Sequence, residues 1–301
     1  MPRHWEDFHM RRRTLLTALA VSPLLTARGH AATLSTALTF DDRGRPLADV
    51  MINGAGPFPL VIDTAAGGTV LNAATIERLA ITSTGTARVQ GASGAVNTNL
   101  YSLDVVEIAS LRRENLMAVQ TPPDSVSAAA HAGVLGASFF ADTRLEFAFA
   151  SDRLNIDTGA NRSALADAIN VDFRHRIFAL APIRIAGADA TAVVDTGARA
   201  TVANALLRTA LGFSENDPRF HEAEPIGGAT AHSTPAVAAE VTPVVFAGHD
   251  FGALTLNFAD LSVFAAMQLS ETPALILGMD VLRRAEALVL DYSSAQLAMR
   301  T

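Results

Sequence analysis

The sequence predicts an all-β protein of two lobes, related by a pseudo-twofold axis and facing each other across a cleft. Two observations predict it. The body of the chain is a series of short apolar runs cut by Gly, Asn and Asp, with 13 Pro and 20 Gly among 301 residues, which is the punctuation of many short strands. The second observation is an internal repeat. Shifting the sequence by 132 positions lays Leu60-Val61-Ile62-Asp63-Thr64 over Ala192-Val193-Val194-Asp195-Thr196, and Thr69-Val70-Leu71-Asn72 over Thr201-Val202-Ala203-Asn204, without a gap. A unit longer than roughly 100 residues and present only twice is a duplicated domain, since solenoid units run to about 20–50 residues.

Composition narrows the function before any motif is read. Half of the residues are hydrophobic and 18% are charged, too apolar for a disordered chain and long enough for two cores. The 23 basic residues are all Arg and stand against 30 acidic ones, for a net charge of −7. No basic stripe is available to neutralise phosphates, so no nucleic-acid partner is expected. With no Cys, disulfide frameworks, thiolate zinc sites and Cys nucleophiles are excluded.

The first element is a leader. Arg11, Arg12 and Arg13 precede an uncharged run from Thr14 to Ala27, interrupted by Pro23 and shorter than the roughly 20 residues a bilayer-spanning helix needs. That is the layout of a signal peptide over residues 1–31, with Gly29-His30-Ala31 as the small-residue cleavage site. Arg12-Arg13-Thr14-Leu15-Leu16 also resembles the twin-arginine export pattern. The expectation is an exported protein, periplasmic or secreted, with no membrane span after processing.

The first lobe is read over residues 32–160, a connector over 161–170 and the second lobe over 171–301. In each lobe a strand-like run (Ala48 to Asn53; Pro182 to Ile185) meets a turn (Asn53-Gly54-Ala55-Gly56; Ala186-Gly187-Ala188-Asp189) and then a second apolar strand ending at an Asp. After the Asp come Thr and small residues, a Thr-Val strand and a short helix-like stretch, Ala73 to Ala80 or Ala205 to Leu211. Further on, Val134-Leu135-Gly136 matches Ile276-Leu277-Gly278, and Leu145 to Ile156 matches Leu288 to Met299 at a slightly larger offset.

A lone Asp in such a turn is ordinarily a turn or cap residue. Two at equivalent positions mean more, because a pseudo-twofold axis brings Asp63 and Asp195 face to face. Two carboxylates at hydrogen-bonding distance share one proton and titrate as a pair. Such a pair holds a general base and a general acid at once. It can activate a water against a peptide carbonyl and stabilise the developing oxyanion, with no metal, nucleophilic side chain or cofactor.

Asp195-Thr196-Gly197-Ala198, its partner Asp63-Thr64-Ala65-Ala66 and the two apolar-apolar-Gly segments resemble the aspartic proteases of the pepsin and retropepsin type. The resemblance covers nearly the whole chain after the leader, and lobes of about 130 residues, no Cys and a bacterial-style export signal look more like the bacterial retropepsin-like enzymes than the secreted pepsins, here with both halves in one chain. It implies the two-lobed acid-protease fold and an endopeptidase with Asp63 and Asp195 as catalytic residues. Thr64 and Thr196 would lock the two loops together, with Ala65 and Gly197 beside them. The family's glycine-tipped hairpin over the substrate would fall to Gln90, Gly91, Ala92 and Ser93, with Ile226-Gly227-Gly228-Ala229 in the matching place of the second lobe. The expected partner is a peptide or protein bound in extended form, and the expected state a monomer, since both halves are present in one chain. The first motif departs from the pattern, reading Asp-Thr-Ala where the family has Asp-Thr-Gly. A non-catalytic peptide-binding or sensory protein that keeps the fold is the alternative.

A third Asp-Thr-Gly, Asp157-Thr158-Gly159, is rejected by the repeat register, which aligns Leu154-Asn155-Ile156 with a closing strand at Leu297-Ala298-Met299; Asp157 reads as a strand-end cap. His131, His175, His221, His232 and His249 lack metal-ligand spacing and read as surface or loop residues. Ser93, Ser233 and Ser262 lack a nucleophile elbow. The pairs Arg112-Arg113 and Arg283-Arg284 read as solvated ends of strands or helices.

Overall fold

The turn at Asn53 and Gly54 closes the first of the repeated hairpins. Both residues take positive φ, 50° and 77°, as a two-residue turn between right-twisted strands requires. It joins Pro46–Ile52 to Ala55–Asp63 in an antiparallel pair. Ala186 and Gly187, at φ 45° and 87°, make the same turn between Phe178–Ile185 and Ala188–Val194. The computed structural model describes residues 33–122, 131–159, 162–175, 178–228, 230 and 232–301. The expected leader and its cleavage site, Asn161 of the expected connector and Ala229 lie outside the described residues.

The second strand of each hairpin is buried on both faces, which its uninterrupted apolar run anticipates. Leu60, Val61 and Ile62 are fully buried. A parallel neighbour, Gly133–Gly136, sets Asp63 opposite Gly136, and Thr69–Leu71 covers the far side of that neighbour. The second lobe repeats the arrangement with Ala188–Val194, Ala274–Leu277 and Val202–Ala203. The short helices Ala73–Leu79 and Ala205–Ala210 start from Asn72 and Asn204, whose side-chain oxygens accept from the third residue on, Thr75 and Leu207.

A long hairpin follows in each lobe, Gly85–Gln90 with Ala95–Ile108 and His221–Gly227 with Ser233–Val241. The long returning strand is continuous in the first lobe. In the second it breaks at Pro243 and resumes as Val244–Phe246, because proline cannot donate to the ladder.

A third sheet belongs to both lobes. Its six strands run Thr33–Ala37, Arg153–Asp157, Arg144–Ala148, Ala287–Asp291, Gln296–Arg300, Ile169–Asn170, all antiparallel. The two central strands pair across the lobe boundary, with Glu146 opposite Val289 at the middle and Arg144 opposite Asp291 at one end. Glu146 and Val289 are equivalent positions of the repeat, so the pseudo-twofold axis passes between them. The protein is thus all-β and two-lobed. One apolar cluster runs through both lobes and the shared sheet, from Leu60, Ile62 and Leu135 through Phe147 and Leu288 to Val194 and Leu277. A smaller one surrounds Leu261, Phe264 and Met267 in the second lobe.

Two expectations are corrected and a third is extended. Ile169–Asn170 is a strand of the shared sheet, so the stretch read as connector ends in paired structure. His131 is buried, and both ring nitrogens lack a hydrogen-bond partner among the described residues; it leads directly into the buried strand Gly133–Gly136. The arginine pairs do lie at the ends of a strand and a helix, with Arg112, Arg283 and Arg284 exposed and Arg113 half-buried, and three of the four also reach other segments. Arg113 donates to the carbonyls of Phe139 and Ala141, and Arg284 to those of Phe251 and Ala253. Arg283 lies 3.9 Å over the Phe40 ring. These acceptors come from remote segments, which a local charge pattern does not reveal.

Candidate active site

Each repeated strand delivers its Asp into a tight turn, and the two turns interlock. The Thr64 N–H donates to Thr196 Oγ1 and the Thr196 N–H to Thr64 Oγ1, both at 3.1 Å. The Thr64 hydroxyl donates to the Val194 carbonyl at 2.7 Å and the Thr196 hydroxyl to the Ile62 carbonyl at 2.6 Å. Both threonines are fully buried. Every donor finds a partner in the opposite lobe, so the clamp fixes the separation of the two turns at little desolvation cost.

The clamp brings the two carboxyl groups together. Asp63 Oδ1 accepts from the Ala65 N–H at 2.8 Å. Asp195 Oδ1 accepts from the N–H groups of Gly197 and Ala198, at 2.8 and 3.0 Å. A side chain on Gly197 would collide with the Asp63 carboxyl, so Asp63 rests against the opposite turn, where its charge acts on Asp195. Ala65, in the equivalent place, packs its methyl toward the second lobe's smaller apolar cluster, as do Ala92 and Ala198.

Burial raises the pKa of both carboxyl groups. Asp195 is raised well above the ordinary value, because the charge of Asp63 adds to burial. The backbone N–H bonds and the positive charge of buried Arg45 pull the other way. The pair therefore keeps a proton at a pH where an exposed Asp has lost its own. Arg45 is held by Asp41 at 2.7 Å. The Tyr292 hydroxyl is buried, and its pKa is raised by burial and by the charge of Asp63.

The apolar-apolar-Gly segments pass directly beneath the turns. A Cβ on Gly136 would come within 2.6 Å of the Ala66 carbonyl oxygen, and one on Gly278 within 2.7 Å of the Ala200 carbonyl carbon. That closeness lets Ala137 donate to Ala66 and Met279 to Ala198, both at 2.9 Å. In the second lobe Asp280 adds a further tie, accepting from the N–H and hydroxyl of Thr201 at 2.9 and 2.6 Å. Sequence reading missed Asp280, Arg45 and Tyr292. Asp280 had a signal, since it follows a repeated glycine and its first-lobe counterpart is Ser138. Arg45 and Tyr292 had none, because only the tertiary fold carries them to the site.

The hairpin residues Gln90, Gly91, Ala92 and Ser93 form the tip of the first lobe's long hairpin, closed by the Gly91 N–H on the Gly94 carbonyl at 2.8 Å. Gly227 and Gly228 lie at the tip of the second. The tips meet: Ser93 Oγ donates to the Ile226 carbonyl at 2.7 Å, and a Cβ on Gly228 would stand 3.3 Å from that of Ala92. Asp157, by contrast, ends a strand of the shared sheet and accepts from the Gly159 N–H at 2.8 Å, a cap with no bond to the pair among the described residues.

Two buried carboxyl groups whose pKa values are raised by burial, the second further by the charge of the first, suit activation of a water for hydrolysis. Set against known protein families, the chain matches the one described as aspartyl protease twice, over residues 48–139 and 181–281. A search of curated proteins returns no match.

Proposed function

The chain belongs to the aspartyl protease family, with one copy of the family's domain in each lobe, and from that we propose that it is an endopeptidase in which Asp63 and Asp195 act as one catalytic pair. The observation that carries the reading is the seating of the Asp63 carboxyl against Gly197, held there by the Thr64–Thr196 clamp. The ionised partner takes a proton from a water as that water attacks the peptide carbonyl carbon. The protonated partner hydrogen-bonds the carbonyl oxygen and stabilises its developing charge. The proton then passes to the leaving nitrogen as the C–N bond breaks, which returns the pair to its starting state.

The proposed substrate is a polypeptide bound as an extended strand beneath the hairpin tips, its main-chain hydrogen bonds supplying affinity independent of sequence. The leader supports an exported protein, and the presence of both halves in one chain supports a monomer. Two buried carboxylates that repel one another do nothing for a protein that merely binds peptides, which favours catalysis over the alternative.

Asp63→Asn and Asp195→Asn test the reading on an unfolded protein substrate between about pH 3 and pH 8. Each should reduce cleavage by about 10³-fold or more, the upper range of general acid–base catalysis. Thermal stability at neutral pH should hold or rise, since one of two repelling charges is gone. Wild-type protein that cuts nothing in that range, or an Asn variant that cuts as well as wild type, overturns it.

A further inference from the structure

The first lobe's hairpin tip is tied to the second lobe by residues other than the carboxyl pair. Gln90 Nε2 donates to Ser262 Oγ at 2.9 Å, and Ser262 Oγ donates to the Ala92 carbonyl at 3.2 Å. The Val263 N–H donates to the same carbonyl at 3.1 Å. The tip is also seated by shape. A Cβ on Gly91 would come within 2.8 Å of the Thr230 methyl, and one on Gly94 within 2.8 Å of the His232 ring. Ala92, Ile226 and Val263 share the apolar cluster around Phe264.

These contacts span the lobe boundary, so they roof the cleft from one lobe to the other. An extended chain cut at an interior bond cannot thread through a roofed cleft from its end at useful speed, and must enter when the roof lifts. Ser262 is placed to govern that step, because its hydroxyl both accepts from the tip's side chain and donates to its backbone. We propose that Ser262 is a positioning residue whose hydroxyl latches the hairpin tip to the second lobe and holds the substrate-free cleft closed.

The existence of the latch does not depend on catalysis; its consequence for turnover rests on the endopeptidase reading. In the substrate-free state a latched roof taxes binding by the fraction of molecules that are open. The two bonds of the Ser262 hydroxyl are solvent-exposed, so their joint worth lies near the low end of the range for neutral hydrogen bonds, roughly five-fold in the opening equilibrium.

Hydrogen exchange on the full chain reads the latch directly. In Ser262→Ala, the amides of residues 91–94 and of Val263 should exchange roughly five-fold faster than in wild type, and Ser262→Thr, which keeps the hydroxyl, should restore the slower rate. Gly91→Ala, which wedges a methyl against Thr230, should speed the Val263 amide as well. On a polypeptide substrate Ser262→Ala should lower KM by a similar factor while kcat holds. Unchanged exchange in Ser262→Ala overturns the latch, and a raised KM overturns it too, since the hydroxyl would then be a substrate-binding group. Wild type that cleaves nothing would count against the endopeptidase reading alone, with the exchange result still deciding the latch.

Discussion

Thr64 and Thr196 show how few side chains set the geometry of the site. Each hydroxyl accepts one cross-lobe bond and donates another, so replacing either by its apolar isostere orphans buried groups on the opposite turn. Thr196→Val leaves the Thr64 N–H and the Ile62 carbonyl without partners, at about 1–3 kcal/mol for each group. A total loss of about 2–6 kcal/mol is expected in urea unfolding, with activity falling further than stability because the carboxyl separation drifts. Unchanged stability would mean that the clamp is incidental. At this scale the Asp-Thr pairs were legible, since two tripeptides at one repeat position stand out from a third at Asp157. The seating of Asp63 on Gly197 was not, because it joins residues 134 positions apart across a boundary that local pattern does not mark.

At the scale of the element, the segments Gly133–Gly136 and Ala274–Leu277, with Gly278 after it, are spacers as much as strands. Their apolar residues fill the core, while Gly136 and Gly278 let the chain pass under a carbonyl-rich turn. Gly278→Ala forces the Ala198–Ala200 backbone away and strains the Met279–Ala198 bond. A destabilisation of about 1–3 kcal/mol is expected, with a matching loss of turnover; a variant of wild-type stability would show that the turn yields freely. The repeated hairpins, the Asn-capped helices and the glycine segments were all visible as runs with matching order in the two lobes. The pairing of Arg144–Ala148 with Ala287–Asp291 was not, because a strand's pattern shows which face is buried but not which strand lies beside it.

The whole molecule responds to pH with two opposite signs. Burial alone would raise the pKa of Asp291, but hydrogen bonds from Ser293, Arg144 and the Ser294 N–H outweigh it and hold the carboxyl down to about 2. Its cross-lobe pair with Arg144, at 2.8 Å, therefore contributes stability that is present above the ordinary value of 3.8 and lost as pH falls through about 2. The carboxyl pair behaves the other way. With folded values raised above 3.8, its contribution is complete below that value and declines as pH rises through the folded pKa. The melting temperature should therefore peak in mildly acidic solution. Asp195→Asn should flatten the limb on the neutral side, and Asp291→Asn the limb on the acid side. A wild-type melting temperature that climbs steadily to neutrality would contradict the raised pair.

The middle of the shared sheet is where the two halves meet at their own counterparts, and there they differ: an acid on one side, valine on the other. Were one half to bind a second copy of itself through the same edge, Glu146 would stand directly against Glu146, a placement that like charges disfavour. As it is, Glu146 faces a neutral neighbour and is held by Arg300 and Asn155. The duplicated halves have thus diverged at the position where each faces its own counterpart, and the pairing between unlike halves is the one free of that repulsion.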